Sequence, residues 1–149
     1  LNVMKISKAL KLKNKMVAEY TDLLNKMVSS NSSDKSTKKN YNSKELYTQV
    51  VTAQQEIVRL KTAIHKASSP VRSKIFEIGE VKNLLSYFNR MSTVEGIVKN
   101  RGYSAATEDE FVVDFNEVEK VTLVKDLQER IENLQEELDS FNATTEVEY

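Results

Sequence analysis

The chain has 149 residues with no cysteine, no tryptophan, one proline, three glycines and one histidine. Each scarcity closes off a class of protein. Without cysteine there is no disulfide framework, no thiolate nucleophile and no sulfur ligand for zinc, a composition at home in a reducing compartment, so a cytoplasmic location is expected. So little glycine and proline leaves too little turn chemistry for a sheet protein. No window approaches the roughly 20 apolar residues that span a bilayer, and no uninterrupted apolar run of signal-peptide type opens the chain. No membrane partner is expected. Gly79, Gly96 and Gly102 stand alone, so no glycine-rich phosphate loop exists.

The remaining chemistry is thin. His65 lies between Ile64 and Lys66 beside a packing seam, without the positioned partner that proton transfer requires. No histidine pair and no calcium-loop pattern occurs. Glu108, Asp109 and Glu110 form one acidic cluster, and Glu132, Glu136 and Asp139 share one helical face. The histidines that complete carboxylate bundle sites are missing, so solvated faces account for both groups better than metal does. The expectation is a chain with no enzymatic activity, no catalytic residue, no metal and no cofactor.

Zero net charge conceals an asymmetry. Residues 1–103 carry 19 Lys/Arg and 8 Asp/Glu (+11), whereas residues 104–149 carry 3 and 14 (−11). A nucleic-acid binder would keep its basic surface free for phosphates, but here an equal acidic segment competes for it, so no nucleic-acid partner is expected. Attraction between the two segments, within a chain or between subunits, is the alternative to a solvated acidic face.

Hydrophobic periodicity is helical throughout. Ile6, Leu10, Met16, Tyr20, Leu23 and Met27 form a stripe on a first helix over about 4–28. Residues 29–42 are polar and of low complexity, a flexible loop. Asn42 and Glu45 have capping-box spacing and open a second helix over 43–67, whose seam Leu46, Val50, Ala53, Ile57, Leu60, Ile64, Ala67 steps alternately by four and three. Ser68-Ser69-Pro70 breaks it. A third helix over 72–101 carries Ile75, Ile78, Val81, Leu85, Phe88 and Met91, extended less regularly by Val94, Ile97 and Val98 towards Gly102. An extended loop over 102–116 follows, in which Phe111, Val113 and Phe115 leave a short strand as an open alternative. Asn116 and Glu119 repeat the capping box before a fourth helix over 117–141, with the seam Val124, Leu127, Ile131, Leu134, Leu138, Phe141. This predicts an all-α single domain, a four-helix, coiled-coil-like bundle of long antiparallel hairpins. The second and third helices form one hairpin across Pro70, and the seams are shared in a homo-oligomer.

From Met4–Leu10 through Leu46–Ile64 and Val71–Lys74 to Asn142–Val147, nearly the full length of the chain resembles the septicolysin-like family of small helical proteins from bacteria and phages. Met4-Lys5-Ile6-Ser7-Lys8-Ala9-Leu10 is similar to the family's opening, which places Leu1, Asn2 and Val3 ahead of it. Val71-Arg72-Ser73-Lys74 resembles a Gly-Arg-Thr-Leu helix start, and Val113-Asp114-Phe115, Leu134-Gln135 and Leu138-Asp139 resemble later family motifs. Asn142-Ala143-Thr144-Thr145-Glu146-Val147 resembles an Asn-Trp-Thr-Thr-Glu-Leu finish. Val81-Lys82 stands where an Arg-Asp pair is usual, and Ala143 where Trp is usual. The resemblance implies a helical oligomer with no established reaction.

A polar set offers a candidate binding site. Arg72 and Lys74 stand at the start of the third helix, Tyr87 and Arg90 further along it, and Arg101 and Tyr103 at its exit, while Asn142, Thr144 and Thr145 stand at the end of the fourth. Arginine beside an aromatic ring can hold a phosphate and stack a base, and a helix start adds free N–H donors. Surface arginine and interfacial tyrosine explain the same residues without a ligand. The functional expectation is a non-enzymatic oligomeric binding protein. Its specific form is a phage-type sponge that sequesters a small anionic, nucleotide-derived immune signal in pockets between subunits, in the host cytoplasm if phage-encoded. The alternative is a structural or adaptor protein whose seams bind a helical partner.

Overall fold

The computed structural model describes residues 1–101 and 106–149. The described part is mostly helical, with short strands added. In order it runs β1 (Val3–Lys5), α1 (Ile6–Ser30), α2 (Ser43–Ala67), a 3₁₀ turn (Ser69–Val71), α3 (Arg72–Arg90), β2 (Gly96–Arg101), β3 (Ala106–Phe111), α4 (Glu117–Thr144) and β4 (Glu146–Glu148). The chain divides into two compact units, Leu1–Arg72 with Asp139–Tyr149, and Ser73–Leu138.

The first unit is built on an antiparallel α1–α2 hairpin. Asn42 caps α2 as its spacing predicts, its side-chain oxygen accepting from the backbone N–H of Lys44 at 2.9 Å and of Glu45 at 3.4 Å. The loop before it holds a local turn in which Asp34 accepts from the backbone and hydroxyl of Ser36. The Ser36 hydroxyl bond, then its backbone bond, keeps the Asp34 carboxyl below the ordinary carboxylate value. Five seam residues of α2, Leu46, Val50, Ile57, Leu60 and Ile64, are buried. Around Leu60 and Ile64 the core closes with Ile6 and Ala9 of α1 and Val147 of β4, and Met4, Leu10, Met16 and Phe141 pack against it.

Periodicity does not reveal what covers this core. β1 pairs antiparallel with β4, Val3 opposite Glu148, Met4 opposite Val147 and Lys5 opposite Glu146. Asn2 and Tyr149 exchange backbone hydrogen bonds of 2.9 and 3.1 Å, and the Ile6 N–H donates to the Thr145 carbonyl at 2.9 Å. Lys5 Nζ adds bonds to the Thr144 carbonyl at 3.2 Å and to Glu146 at 3.5 Å. Val147, only 1% exposed, thus lies against Ile6 and Leu60. The two stretches that carried the family resemblance at either end, Met4 to Leu10 and Asn142 to Val147, are the two that meet.

The second unit holds α3, the β2–β3 hairpin and most of α4. Asn116 and Glu119 form a reciprocal capping box: the Glu119 N–H donates to Asn116 Oδ1 at 2.9 Å and the Asn116 N–H to Glu119 Oε1 at 3.4 Å. α3 and α4 run antiparallel, linked by Lys74–Glu137 at 2.8 Å and by an ion pair of Arg130 with Glu77. These are two bridges between the basic body and the acidic tail, the second with its signs exchanged.

One expectation is corrected and one open alternative is decided. The third helix ends at Arg90, not near 101, and β2 takes Gly96–Arg101. Gly96 has φ +89, a left-handed conformation that a right-handed helix cannot pass through, and β-branched Ile97 and Val98 then favour a strand. The short strand left open within 102–116 is β3, Ala106–Phe111, which ends where the alternation of Phe111, Val113 and Phe115 begins; Phe115 lies edge-on to Phe88, with ring centroids 5.8 Å apart. The unit boundary falls at Arg72–Ser73, just past the Pro70 turn, and α1–α2 is the helical hairpin within the first unit.

Leu60 is fully buried and Val58, two residues away, is 57% exposed. Leu60→Ala should therefore lower stability by about 3 kcal/mol, and Val58→Ala by less than about 0.5 kcal/mol, measured as the shift in urea unfolding midpoint.

Candidate functional site

The proposed binding residues fall in separate places. Arg72 opens α3 and donates to the His65 carbonyl at 2.6 Å, tying the Pro70 turn. Lys74 is held by Glu137. Tyr87, 61% exposed, lies under the Arg90 guanidinium, 4.5 Å from its ring centroid, so the two stack on each other as a cation–π pair. Arg90, however, ends α3, where the helix dipole welcomes a cation and offers no free N–H groups to an anion. Arg72 and Arg90 stand at opposite ends of one helix, separated by about 27 Å of rise, so within one chain they cannot share a phosphate. Arg101 ends β2, and its side chain and all of Tyr103 lie outside the described residues.

Asn142, Thr144 and Thr145 are brought together, but by the strand pair. Thr144 returns its hydroxyl to the Ser140 carbonyl at 2.9 Å, and the Thr145 carbonyl accepts from Ile6. The hydrogen bonds of Thr144 and Thr145 terminate α4 and lead into β4.

A constellation missed in the sequence lies on the outer face of α2. Gln54, Gln55, Val58, Arg59, Thr62, Ala63 and Lys66, with Glu148 and Tyr149, line an open groove of ≈ 620 Å³. That volume falls within the range of about 300–1,000 Å³ typical of small-molecule sites. The Arg59 guanidinium stands 5.8 Å from the centroid of the Tyr149 ring and pairs with Glu56 at 3.2 Å. Ring, guanidinium, ammonium and two carboxamides suit a planar anion: the ring stacks, the cations pair, the amides read polar edges. Gln55, Arg59, Thr62 and Lys66 repeat at steps of four, three and four, so a polar stripe with the seam's own period was legible. The arrival of Tyr149 was not. A second groove of ≈ 410 Å³, lined by Met27, Val28, Asn31, Ser43, Lys44 and Tyr47, lies where α1 hands over to α2.

No family model matches the chain, and no curated protein matches it. Among solved structures, a functionally unknown conserved protein from Corynebacterium diphtheriae is similar, with TM-score 0.67 and 14% identity over 99% of this chain and 100% of that one. At that identity the likeness is one of fold. Among the described residues no helix is long and apolar enough to cross a membrane, and no group of three His, Asp or Glu converges as metal ligands would.

Lys120 was also overlooked. From the first turn of α4 its ammonium donates to the Met91 carbonyl at 2.8 Å and the Asn89 carbonyl at 3.4 Å, beside a bond from the Thr93 hydroxyl to Glu117. It closes the C-terminal end of α3 in place of a glycine cap. Lys120→Met should leave the last-turn carbonyls of α3 unpaired and speed amide exchange there by about tenfold, corresponding to about 1.4 kcal/mol of local stability.

Proposed function

We propose that this protein is a non-enzymatic helical binding protein that acts as a homo-oligomer and sequesters a small anionic, nucleotide-derived ligand without converting it. The observation that carries the self-association is the surface left uncovered. The chain exposes 11321 Å², whereas a compact 17.0 kDa monomer leaves about 7,700 Å², and two separate compact units of half that mass about 9,300 Å². The excess is apolar in part: Ile75, Phe76 and Leu84 of α3 are 41%, 65% and 45% exposed, and no residue of α4 is fully buried although its seam is unbroken. Seams of that kind are completed by another helix pair, and a second copy supplies one. Together these points favour a coiled-coil-like bundle between subunits.

The ligand part rests on the Arg59–Tyr149 groove, and on Tyr87–Arg90 as a second stacked cation that a neighbouring copy would enclose. The resemblance of both chain ends to a family with phage members favours the sponge form, and on this reading the chain is a septicolysin-like protein. Light scattering of the purified protein should give a mass at least twice 17.0 kDa. Calorimetry against cyclic and linear nucleotides should give saturable heat for at least one, weakened about tenfold or more by Arg59→Ala. Recovery of intact ligand after heat release separates sequestration from turnover. A flat response across the nucleotides removes the ligand reading.

One observation favours the adaptor alternative. Val118 and Val121, one helical turn apart at the start of α4, are 74% and 56% exposed beside Phe115, an apolar strip suited to a partner helix. Val118→Glu/Val121→Glu should abolish capture of such a partner while leaving nucleotide heats intact.

A further inference from the structure

The outer faces of α1 and α4 carry opposite charges at one spacing. Lys8, Lys11 and Lys15 follow one another on α1 at steps of three and four, on the exposed side of a helix whose buried residues are Ile6 and Ala9. On α4, Glu129, Glu132 and Glu136 repeat those steps and are all exposed, while the seam residues Leu127, Ile131 and Leu134 are half-buried. Lys15 touches Glu19 at 4.0 Å; the other five form no ion pair among the described residues. Each stripe then changes sign. Asp22 lies two turns beyond Lys15 on α1, and Lys125 lies one turn before Glu129 on α4, both exposed and both without an ion pair among the described residues.

Charges in this order select a partner and a direction. With the helices antiparallel, Lys8 meets Glu136, Lys11 meets Glu132 and Lys15 meets Glu129, and Asp22 falls within one turn of Lys125. Parallel helices keep three opposed pairs but bring Lys125 within a turn of Lys8 and leave Asp22 without a base. Packing α1 on α1, or α4 on α4, sets mostly like charges together, which disfavours those partners. We propose that copies of this chain associate through these two faces, α1 of one copy lying antiparallel along α4 of the next. The overlap from Lys8 to Asp22 runs about 21 Å, or about four turns of either helix. Single exposed ion pairs add little, but several in one register act together, fix partner and orientation, and weaken as salt rises. The contact rests on the self-assembly proposed above and names the faces that carry it.

Charge reversals and crosslinks test it. Lys8→Glu/Lys11→Glu makes both faces acidic, and Glu129→Lys/Glu132→Lys makes both basic. All four side chains are exposed, so each variant should keep its helical circular dichroism. In sedimentation at low salt each should self-associate about tenfold or more weakly than the parent. Lys38→Glu/Lys39→Glu, an equal change of net charge in the loop before α2, should keep the parent's mass. Mixed in equal amounts, the two face variants should recover that mass, since the acidic α1 of one meets the basic α4 of the other; mixing restores no pairing within a single chain. The chain has no cysteine, so introduced thiols report direction. Under mild oxidation Lys8→Cys chains should link to Glu136→Cys chains faster than to Glu129→Cys chains. A monomeric parent overturns both the self-assembly reading and this contact. A parent that assembles while either face variant keeps its full mass overturns the contact alone. A mixture that fails to recover also overturns it, leaving these faces to water or to pairing within one chain, and linkage to Glu129→Cys at an equal or greater rate overturns the antiparallel register.

Discussion

The first unit depends on one buried valine arriving from the far end of the chain. Val147 fills the space between Ile6, Ala9 and Leu60, and the three-residue strands β1 and β4 hold it there. So short a pair has little stability of its own; the strands persist because one side chain of β4 is fully removed from water while Asn2, Ile6, Thr145 and Tyr149 satisfy the backbone around it. Tyr149 reaches Arg59 only because that pairing fixes its direction, so the outer groove of α2 is a by-product of the core beneath it.

What could be read from the sequence was whatever is local. Both capping positions, Asn42 and Asn116, follow from a short side chain whose oxygen accepts from backbone N–H groups two or three residues on. The α2 seam is buried at Leu46, Val50, Ile57, Leu60 and Ile64, because a 3.5-residue period admits one apolar face. Pro70 interrupts the chain where its ring must. The strands were hidden for the opposite reason: β1 and β4 have their partner some 140 positions away, and Val147 sits among polar neighbours with no period to mark it. At the end of α3 apolar spacing misled. Val94, Ile97 and Val98 prolong a helical stripe on paper, but the helix ends at Arg90 and, past Gly96 with its positive φ, Ile97 and Val98 lie in a strand.

The binding residues fared unevenly for a related reason. Arg90 and Tyr87 are three apart on one helix and meet, as helical neighbours do. Asn142, Thr144 and Thr145 stand at a helix end, and the two threonines serve that end, bonding back to α4 and across to Lys5 and Ile6. Arg59 and Lys66 were passed over because they lie opposite the seam, on a face that composition alone describes as solvent. Lys120 has no signature at all, since a lysine that caps another helix is told from a solvated one only by what lies opposite it.

The dependence on Val147 also sets an order of events during synthesis. A ribosome releases α1 and α2 long before it makes the residue that covers Ile6, Ala9 and Leu60, and chains tend to fold as they emerge. For that interval the nascent hairpin presents bare aliphatic side chains at its open end, until the segment around Val147 is made and shuts it. A chain halted shortly before position 147 would remain a client for chaperones, however complete its helices.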